Sequence, residues 1–282
     1  MTNTTSCLRA CLAHAWPLAL LLVLPRGARA QTDFMNTDRG RPFAVEDALT
    51  VERWALEVQL SPVRIERTAG AATRVSTTPG FNFGLLPRVE LTVEFPLVER
   101  HTGSKRTLSL AGLEVGLLHQ LNAESEHLPA FGLRLDATLP VGGLAPSHEY
   151  TSVGVLATRS FDAGIRLHAN ANANLAGGST LPIVGDPEAR FHSNWSAGVA
   201  LDKTFPLHFA LVGIEGMLRE PNGMPGAREW SVGLGARLQV DPRWSLDAGL
   251  GRSGGAGDDT WFASVGATWA LGWRFGIVPG GH

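Results

Sequence analysis

Several polar residues have side chains suited to acid–base chemistry. His168 and Asn170 are two positions apart on an alternating segment, and Ser196 and Asp136 lie on other segments of the same kind. His168 stands among asparagines, where a histidine is more often a hydrogen-bonding residue than a general base. We therefore expect no enzyme activity.

The carboxylates Asp186 and Glu188 lie in a loop rich in glycine and proline and could bind calcium. Two carboxylates supply fewer than the roughly six oxygen ligands that calcium prefers. The sequence also lacks the H-E-x-x-H motif of zinc peptidases. We therefore expect neither a metal site nor a cofactor.

The elements that must position these residues follow a strong period of two. Between residues 163 and 175, alanine, isoleucine and leucine occupy every odd position, whereas glycine, arginine, histidine and asparagine occupy the even ones. A β-strand separates two such sets onto opposite faces, and a helix would mix them. Similar alternation begins near residues 88, 131, 194, 229, 244 and 261.

The length of these segments indicates a membrane barrel. Each covers about nine to thirteen residues, which matches a tilted strand crossing a bilayer, whereas strands of soluble sandwiches are typically nearer five or six residues. No stretch after residue 30 has the roughly eighteen apolar residues of a membrane helix. The fold class predicted is all-β, a transmembrane antiparallel up-and-down β-barrel of about twelve strands, with ten as the alternative because residues 49–83 are hard to assign.

Connections between the segments alternate in length, as in outer-membrane barrels with short periplasmic turns and longer external loops. Tight turns are predicted at 84–87, 122–127, 161–162, 205–206 and 241–243. Longer loops are predicted at 100–106, 142–150, 176–192, 220–227 and 253–260. Ser61-Pro62 breaks the alternation of its segment, so we expect a bulge or the membrane rim there.

Residues 1–30 are predicted to be a cleaved signal peptide. Arg9 precedes a short apolar run at 15–24, and Ala28-Arg29-Ala30 supplies a small-x-small cleavage pattern. Both cysteines lie before the apolar run, so the mature chain would have none. Residues 31–48 would form an N-terminal periplasmic or lumenal segment, 49–276 the barrel, and 277–282 a C-terminal tail.

Short motifs distributed along the chain resemble one known family. They are Asp38-Arg39 with Pro42-Phe43, Val51-Glu52, residues 84–91 (GLLPRVEL), residues 247–251 (DAGLG) and Trp261-Phe262. On these residues the chain resembles the outer-membrane barrels of the putative MetA-pathway of phenol degradation family, often described as transporters. This resemblance implies a barrel in the outer membrane that passes hydrophobic or aromatic compounds.

If the apolar faces meet lipid, the polar faces line the lumen, and the predicted substrate path lies there. It comprises Arg88, Glu90, Glu114, Arg134, Asp136, Arg166, His168, Asn170, Glu215, Glu229 and Arg237. Both signs of charge occur in similar number, so the charges could instead pair across and brace a narrow barrel.

The function predicted is an outer-membrane channel or uptake barrel for small solutes, and the alternative is a structural or adhesive barrel acting through its external loops. A soluble exported β-sandwich is the third class considered. Expected partners are outer-membrane lipid, the barrel-assembly machinery and a small-molecule solute. With a net charge of −2 and no basic run, nucleic acid is not expected.

Overall fold

A computed structural model describes residues 36–68, 73–102, 105–146, 149–176, 193–205, 209–221, 224–256 and 259–272. Apart from one 3-10 turn at Asp162–Gly164, its regular elements are β-strands. In chain order they are β1 Ala55–Thr68, β2 Arg74–Thr77, β3 Gly80–Leu86, β4 Val89–Glu94, β5 Leu97–Thr102, β6 Lys105–Leu110, β7 Leu113–Gln120, β8 Ala130–Leu139, β9 Tyr150–Phe161, β10 Ile165–Ala176, β11 Asn194–Thr204, β12 Ala210–Arg219, β13 Glu229–Asp241, β14 Trp244–Gly255 and β15 Thr260–Gly272. Among the described residues, no helix is long and apolar enough to cross a membrane.

The strands close into a ring, because β15 pairs with β1 as well as with β14. The ring order is β1, β3, β4, β7 and then β8 to β15, with antiparallel pairing throughout. The shorter strands β2, β5 and β6 continue β3, β4 and β7 toward one end of the barrel. Thr78-Pro79 and Phe95-Pro96 separate two of these pairs, where proline cannot donate to the ladder. The prediction of about twelve antiparallel strands is confirmed.

Several local predictions can be compared with this structure. The register shifts between Gln59 and Pro62, which confirms the bulge expected there. Residues 100–106 do not form the long loop that was expected, since β5 and β6 make a hairpin across them. The tight turn expected at 122–127 is instead part of a longer connection, residues 121–129. The predicted loop at 176–192 lies outside the described residues except for Ala176, which ends β10, and so does everything after residue 272.

Alternation along the strands produces two unlike faces. On β13, Val232 and Leu234 are 53% and 54% exposed on the outer surface, whereas Arg237 on the inner face is 3% exposed. Outward leucine, valine, phenylalanine and tryptophan side chains recur around the ring. A continuous apolar surface of this kind is stable against hydrocarbon and would be unstable in water. The fold is therefore that of a transmembrane barrel.

The barrel has two unlike ends. At the turn end, short connections such as 87–88, 162–164 and 242–243 join consecutive strands, and β1 begins and β15 ends there. At the loop end the connections include 140–149 and 220–228. Aromatic side chains lie near both ends: Trp244 and Trp269 stack with ring centroids 5.7 Å apart near the turn end.

Residues 36–51 precede β1 and contain no strand. Phe43 packs with Leu211 of β12 and Ala270 of β15, and Ala48 packs with a cluster on β7, β8 and β9. Contacts with inward faces on such widely separated strands place this segment inside the ring. We call residues 36–51 the lumenal segment.

Candidate functional site: the barrel lumen

The inward faces of the strands bring most of the predicted path residues together inside the ring. Buried side chains on these faces are Glu90, Arg134, Arg166, His168, Asn170 and Arg237. Inward positions with partly exposed residues are Glu114, Asp136, Glu215 and Glu229. Glu229 lies at the loop end, where its carboxylate Oε1 accepts a hydrogen bond of 2.5 Å from Arg219.

Arg88 does not belong to this set, and its assignment to the lumen is corrected. It occupies the tight turn between β3 and β4 with a φ of 63°, and its side chain is exposed. Its backbone carbonyl accepts a bond of 2.9 Å from the amide of Gln120. The alternating pattern predicted that the strand containing Glu90 begins at residue 88, but the structure places Arg88 in the turn before β4.

The lumen has an excess of carboxylates, contrary to the expected balance of charges. Inward-facing carboxylates on the described strands outnumber the guanidinium groups, and the turn also removes Arg88 from the inner face. The carboxylates include Glu57, Glu90, Glu94, Glu114, Asp136, Asp202, Glu215 and Asp247. The guanidinium groups include Arg64, Arg134, Arg166 and Arg237.

Acidic residues of the lumenal segment pair with basic residues of the wall. Glu46 forms a buried ion pair with Arg134 of β8. Asp47 lies 3.7 Å from the guanidinium of Arg166 of β10. Its carboxylate also accepts a hydrogen bond of 2.8 Å from the backbone amide of Thr37. Burial raises the pKa of Glu46 to about 7, while the Arg134 charge opposes that rise. Burial likewise raises the pKa of Asp47 against the opposing charge of Arg166.

Arg39 of the lumenal segment makes the converse arrangement, one cation among three wall carboxylates. Its guanidinium nitrogens lie 3.5 Å from Glu94, 3.3 Å from Glu114 and 3.3 Å from Asp136. Asp136 also accepts a bond of 2.9 Å from Arg134. Neighbouring strands β4, β7 and β8 are therefore linked through one residue that is not part of the wall.

Other wall carboxylates satisfy backbone amides of the segment. Glu215 accepts bonds of 2.7 and 3.1 Å from the amides of Ala44 and Val45, and Glu90 accepts one of 2.8 Å from Val51. A segment without regular structure needs such partners because buried backbone groups are costly when unpaired. These carboxylates therefore fix the path of the segment through the lumen.

His168 belongs to a buried hydrogen-bond chain on β9, β10 and β11. Its Nε2 is 2.9 Å from Asp202, its Nδ1 is 3.0 Å from the Thr158 hydroxyl, and that hydroxyl accepts a bond of 2.9 Å from the Ala48 amide. Asp202 accepts a hydrogen bond from Nε2 when that nitrogen carries a proton, and the Thr158 hydroxyl is within hydrogen-bonding distance of Nδ1. Asp202 also receives two bonds of 3.0 and 2.8 Å from Arg166. Thr158, His168 and Asp202 are linked in the same sequence of hydroxyl, imidazole and carboxylate as a catalytic triad, but they are buried beneath the lumenal segment. This hydrogen-bond chain therefore holds the segment in place through the Ala48 amide.

One further pattern with catalytic associations was missed in the sequence. Residues Gly251, Ser253 and Gly255 match G-x-S-x-G, but they lie within β14 and not on the strand-to-helix turn that a nucleophilic serine requires. Among the described residues, no group of three or more histidine, cysteine or acidic side chains is arranged to hold a metal ion.

Glycines of the wall create the space that the segment occupies. A Cβ added at Gly235 would lie 2.8 Å from the Phe43 ring, and one added at Gly198 would lie 2.8 Å from a methyl carbon of Val45. Contacts this short would force the neighbour to move. Burial of an aromatic side chain such as Phe43 contributes about 1.5–3 kcal/mol, so these glycines permit a substantial share of the docking energy.

Arg39 also borders a cavity of about 220 Å³ beside the lumenal segment. Its lining comprises Arg39, Gly40, Arg64, Ser76, Thr78, Glu94, Pro96, Glu114 and Ser264. These residues come from the segment, from β1, β2, β4, β7 and β15, and from the two proline-containing interruptions. The cavity is large enough for several water molecules or a small solute.

With the lumen described, the sequence comparison identifies the family. The family described as putative MetA-pathway of phenol degradation matches residues 57–275. The chain belongs to this family. The matched region begins within β1, after the lumenal segment, and covers all the other strands of the ring. No curated protein sequence is significantly similar to this chain.

Solved structures support the fold at low sequence identity. An outer membrane channel from Pseudomonas putida F1 superimposes with a TM-score of 0.55 and 12% identity, covering 80% of this chain and 98% of that one. The KdgM porin in complex with disordered oligogalacturonate gives a TM-score of 0.50 and 10% identity, covering 77% of this chain and 99% of that one. This chain therefore shares a barrel fold with these two proteins.

Proposed function

We propose that this protein is a bacterial outer-membrane channel for small solutes, including hydrophobic or aromatic ones. The observation that carries the proposal is the closed twelve-strand ring with a charged inner face and an apolar outer face. Family membership and the barrel fold shared with an outer membrane channel support it. Export by a cleaved signal peptide at residues 1–30 and insertion by the barrel-assembly machinery belong to the same proposal.

The lumenal segment is the proposed constriction of this channel. It fills the inside of the ring at the level of Arg134, Arg166 and Arg237, and the cavity beside Arg39 would be the solute vestibule. The path then includes the predicted residues other than Arg88, with Asn170, Glu114 and Asp136 along its wall. Because carboxylates are in excess, the open channel should prefer cations to anions.

A second candidate is a structural or adhesive barrel that acts through its external loops. The ion pairs between the segment and the wall favour it, because a sealed lumen leaves the loops as the active surface. The two candidates differ in whether the lumenal segment can move enough for a solute to pass through the barrel.

A disulfide provides a direct test of that difference. An ideal Cβ at Gly132 lies 3.5 Å from the Cβ of Ala48, within the range of cysteine pairs in disulfides. The only native cysteines are Cys7 and Cys11, so Ala48→Cys with Gly132→Cys should give one defined bond in the mature chain. Each single-cysteine variant serves as the control for the substitution itself.

The measurement is conductance of the purified full-length barrel in planar bilayers, before and after reduction. The channel proposal expects current from the wild type, a smaller current from the oxidised double variant, and recovery on reduction. Adding an aromatic solute should reduce the ionic current if it enters the same path. No conductance in any state, with ligands bound only through the loops, would replace this proposal by the second candidate.

A further inference from the structure

Three adjacent strands present arginine, tryptophan and arginine side by side on the outer face of the barrel. In the register of the sheet, Trp261 of β15 is directly opposite Arg252 of β14 on one side and Arg67 of β1 on the other. Direct cross-strand partners share a face, and Trp261 is 58% exposed on the outer surface. All three residues lie near the loop end.

The two arginines differ in how far the protein neutralises their charge. Arg67 is exposed, and within the described residues it makes no hydrogen bond or ion pair. Arg252 pairs with Asp259 through one nitrogen, yet its Nε is buried without a partner. The Arg252 guanidinium also lies 5.5 Å from the Trp261 ring centroid, which orients it by a cation–π contact.

Charge at this level is absent from a large part of the barrel. On β5 and β6 the outward residues Glu99 and Arg106 pair with each other, whereas the outward positions nearest the loop end on β8 to β13 carry uncharged side chains. On β8 to β13 they are Leu139, Thr151, Leu175, Trp195, Leu218 and Trp230. Charged side chains on a lipid-facing surface are costly, so a local cluster of cations needs anions supplied by the surroundings.

We propose that Arg67, Trp261 and Arg252 form a binding site for the phosphate of a phosphorylated glycolipid in the outer leaflet. Partners two strands apart have Cα atoms about 10 Å apart, so two arginine side chains can converge on one phosphate. Guanidinium groups bind phosphate oxygens through paired hydrogen bonds, and the tryptophan would lie against the sugar or the upper acyl chains. This inference rests on the proposed outer-membrane location with the loop end outside.

The test uses purified full-length barrel and measures binding of diphosphorylated lipid A by native mass spectrometry. Arg67→Ala with Arg252→Ala should weaken this binding at least tenfold, and Arg67→Lys with Arg252→Lys should restore part of it. The matched control is Lys203→Ala, because Lys203 is a cation near an outward aromatic at the turn end, 6.0 Å from the Phe205 ring. That variant should bind lipid A as the wild type does.

Dephosphorylated lipid A and inorganic phosphate distinguish the source of recognition. Wild-type protein should retain the diphosphorylated lipid in preference to the dephosphorylated one, and free phosphate should compete only at far higher concentration. Equal binding by the double-alanine variant, or equal binding of both lipids, would overturn the site. Tight binding of free phosphate would overturn its assignment to lipid. Since conductance is measured independently, failure here leaves the channel proposal standing, and a channel without current can still bind lipid A.

Discussion

Replacing Val265 by arginine tests which face of the barrel meets lipid. Val265 is 61% exposed on the outer face of β15, midway between Trp261 and Trp269 on the same face. Four residues of strand separate it from each tryptophan, a distance of about 13 Å. The apolar band of such barrels is about 25 Å tall, so residue 265 lies near the membrane midplane. An arginine there costs about 2–4 kcal/mol, which lowers the folding equilibrium constant roughly 30- to 700-fold.

The neighbouring residue supplies the control. Ser264 faces the cavity, which gives an added guanidinium space in a polar environment lined by carboxylates and by Arg39 and Arg64. Ser264→Arg should therefore change the unfolding free energy by less than about 1 kcal/mol. The assay is urea unfolding in phospholipid vesicles, followed by tryptophan fluorescence and by the heat-dependent gel mobility of folded barrels. Equal destabilisation by Val265→Arg and Ser264→Arg would refute the assignment of faces.

Three further changes examine the lumen. Gly235→Ala should displace Phe43 and speed thiol labelling of a cysteine introduced into the lumenal segment. Gly216→Ala is the control, because nothing lies within 4 Å of its added carbon, and it should leave the labelling rate unchanged. Equal labelling rates in the two variants would contradict the packing of Phe43 against Gly235. Asp202→Asn removes the partner of a buried guanidinium and should cost about 3–5 kcal/mol in urea unfolding, and a loss below about 1 kcal/mol would argue against that ion pair. The pKa of Glu46 is raised to about 7 from an ordinary 4.5, so the carboxyl group of Glu46 keeps its proton up to about pH 7 while the segment is docked. Its contribution to docking is present below about pH 4.5 and is lost as pH rises through 7, so thiol labelling should accelerate with pH. Glu46→Gln should weaken that dependence without abolishing it, because the pKa of Asp47 in the same segment is also raised.

The sequence was sufficient for the wall of the barrel because a period of two is a local signal. Residues 163–175 alternate so regularly that neither β10 nor its inward face was in doubt, and the bulge at Pro62 followed from the broken parity. The strand count also followed, although Pro79 and Pro96 divide two of the strands into shorter pieces. Local patterns were less informative at turns, where Arg88 continues the alternation but lies in a tight turn with an exposed side chain.

The path of the lumenal segment could not be predicted because its contacts are distant in sequence. Residues 36–51 have no repeat, and their partners range from Asn82 to Thr268. No sequence pattern links Glu46 and Asp47 to their partners, because Arg134 and Arg166 lie on distant strands. Pairing across a lumen is a property of the closed ring and not of any single strand.

Closure of the ring has a consequence for the order in which this protein assembles. Arg41 donates a bond of 2.5 Å to the Thr268 hydroxyl on the last strand, while Asp38 accepts one of 2.9 Å from Asn82 on β3. The first residues of the folded chain thus span the join between β1 and β15 from within. Since β15 is synthesised last, β1 and β15 can pair only after all the other strands exist. The lumenal segment therefore reaches its final contacts only when the ring closes. Loss of the Arg41 and Asp38 contacts would therefore first slow the pairing of β1 with β15 during insertion, before any effect on the finished barrel.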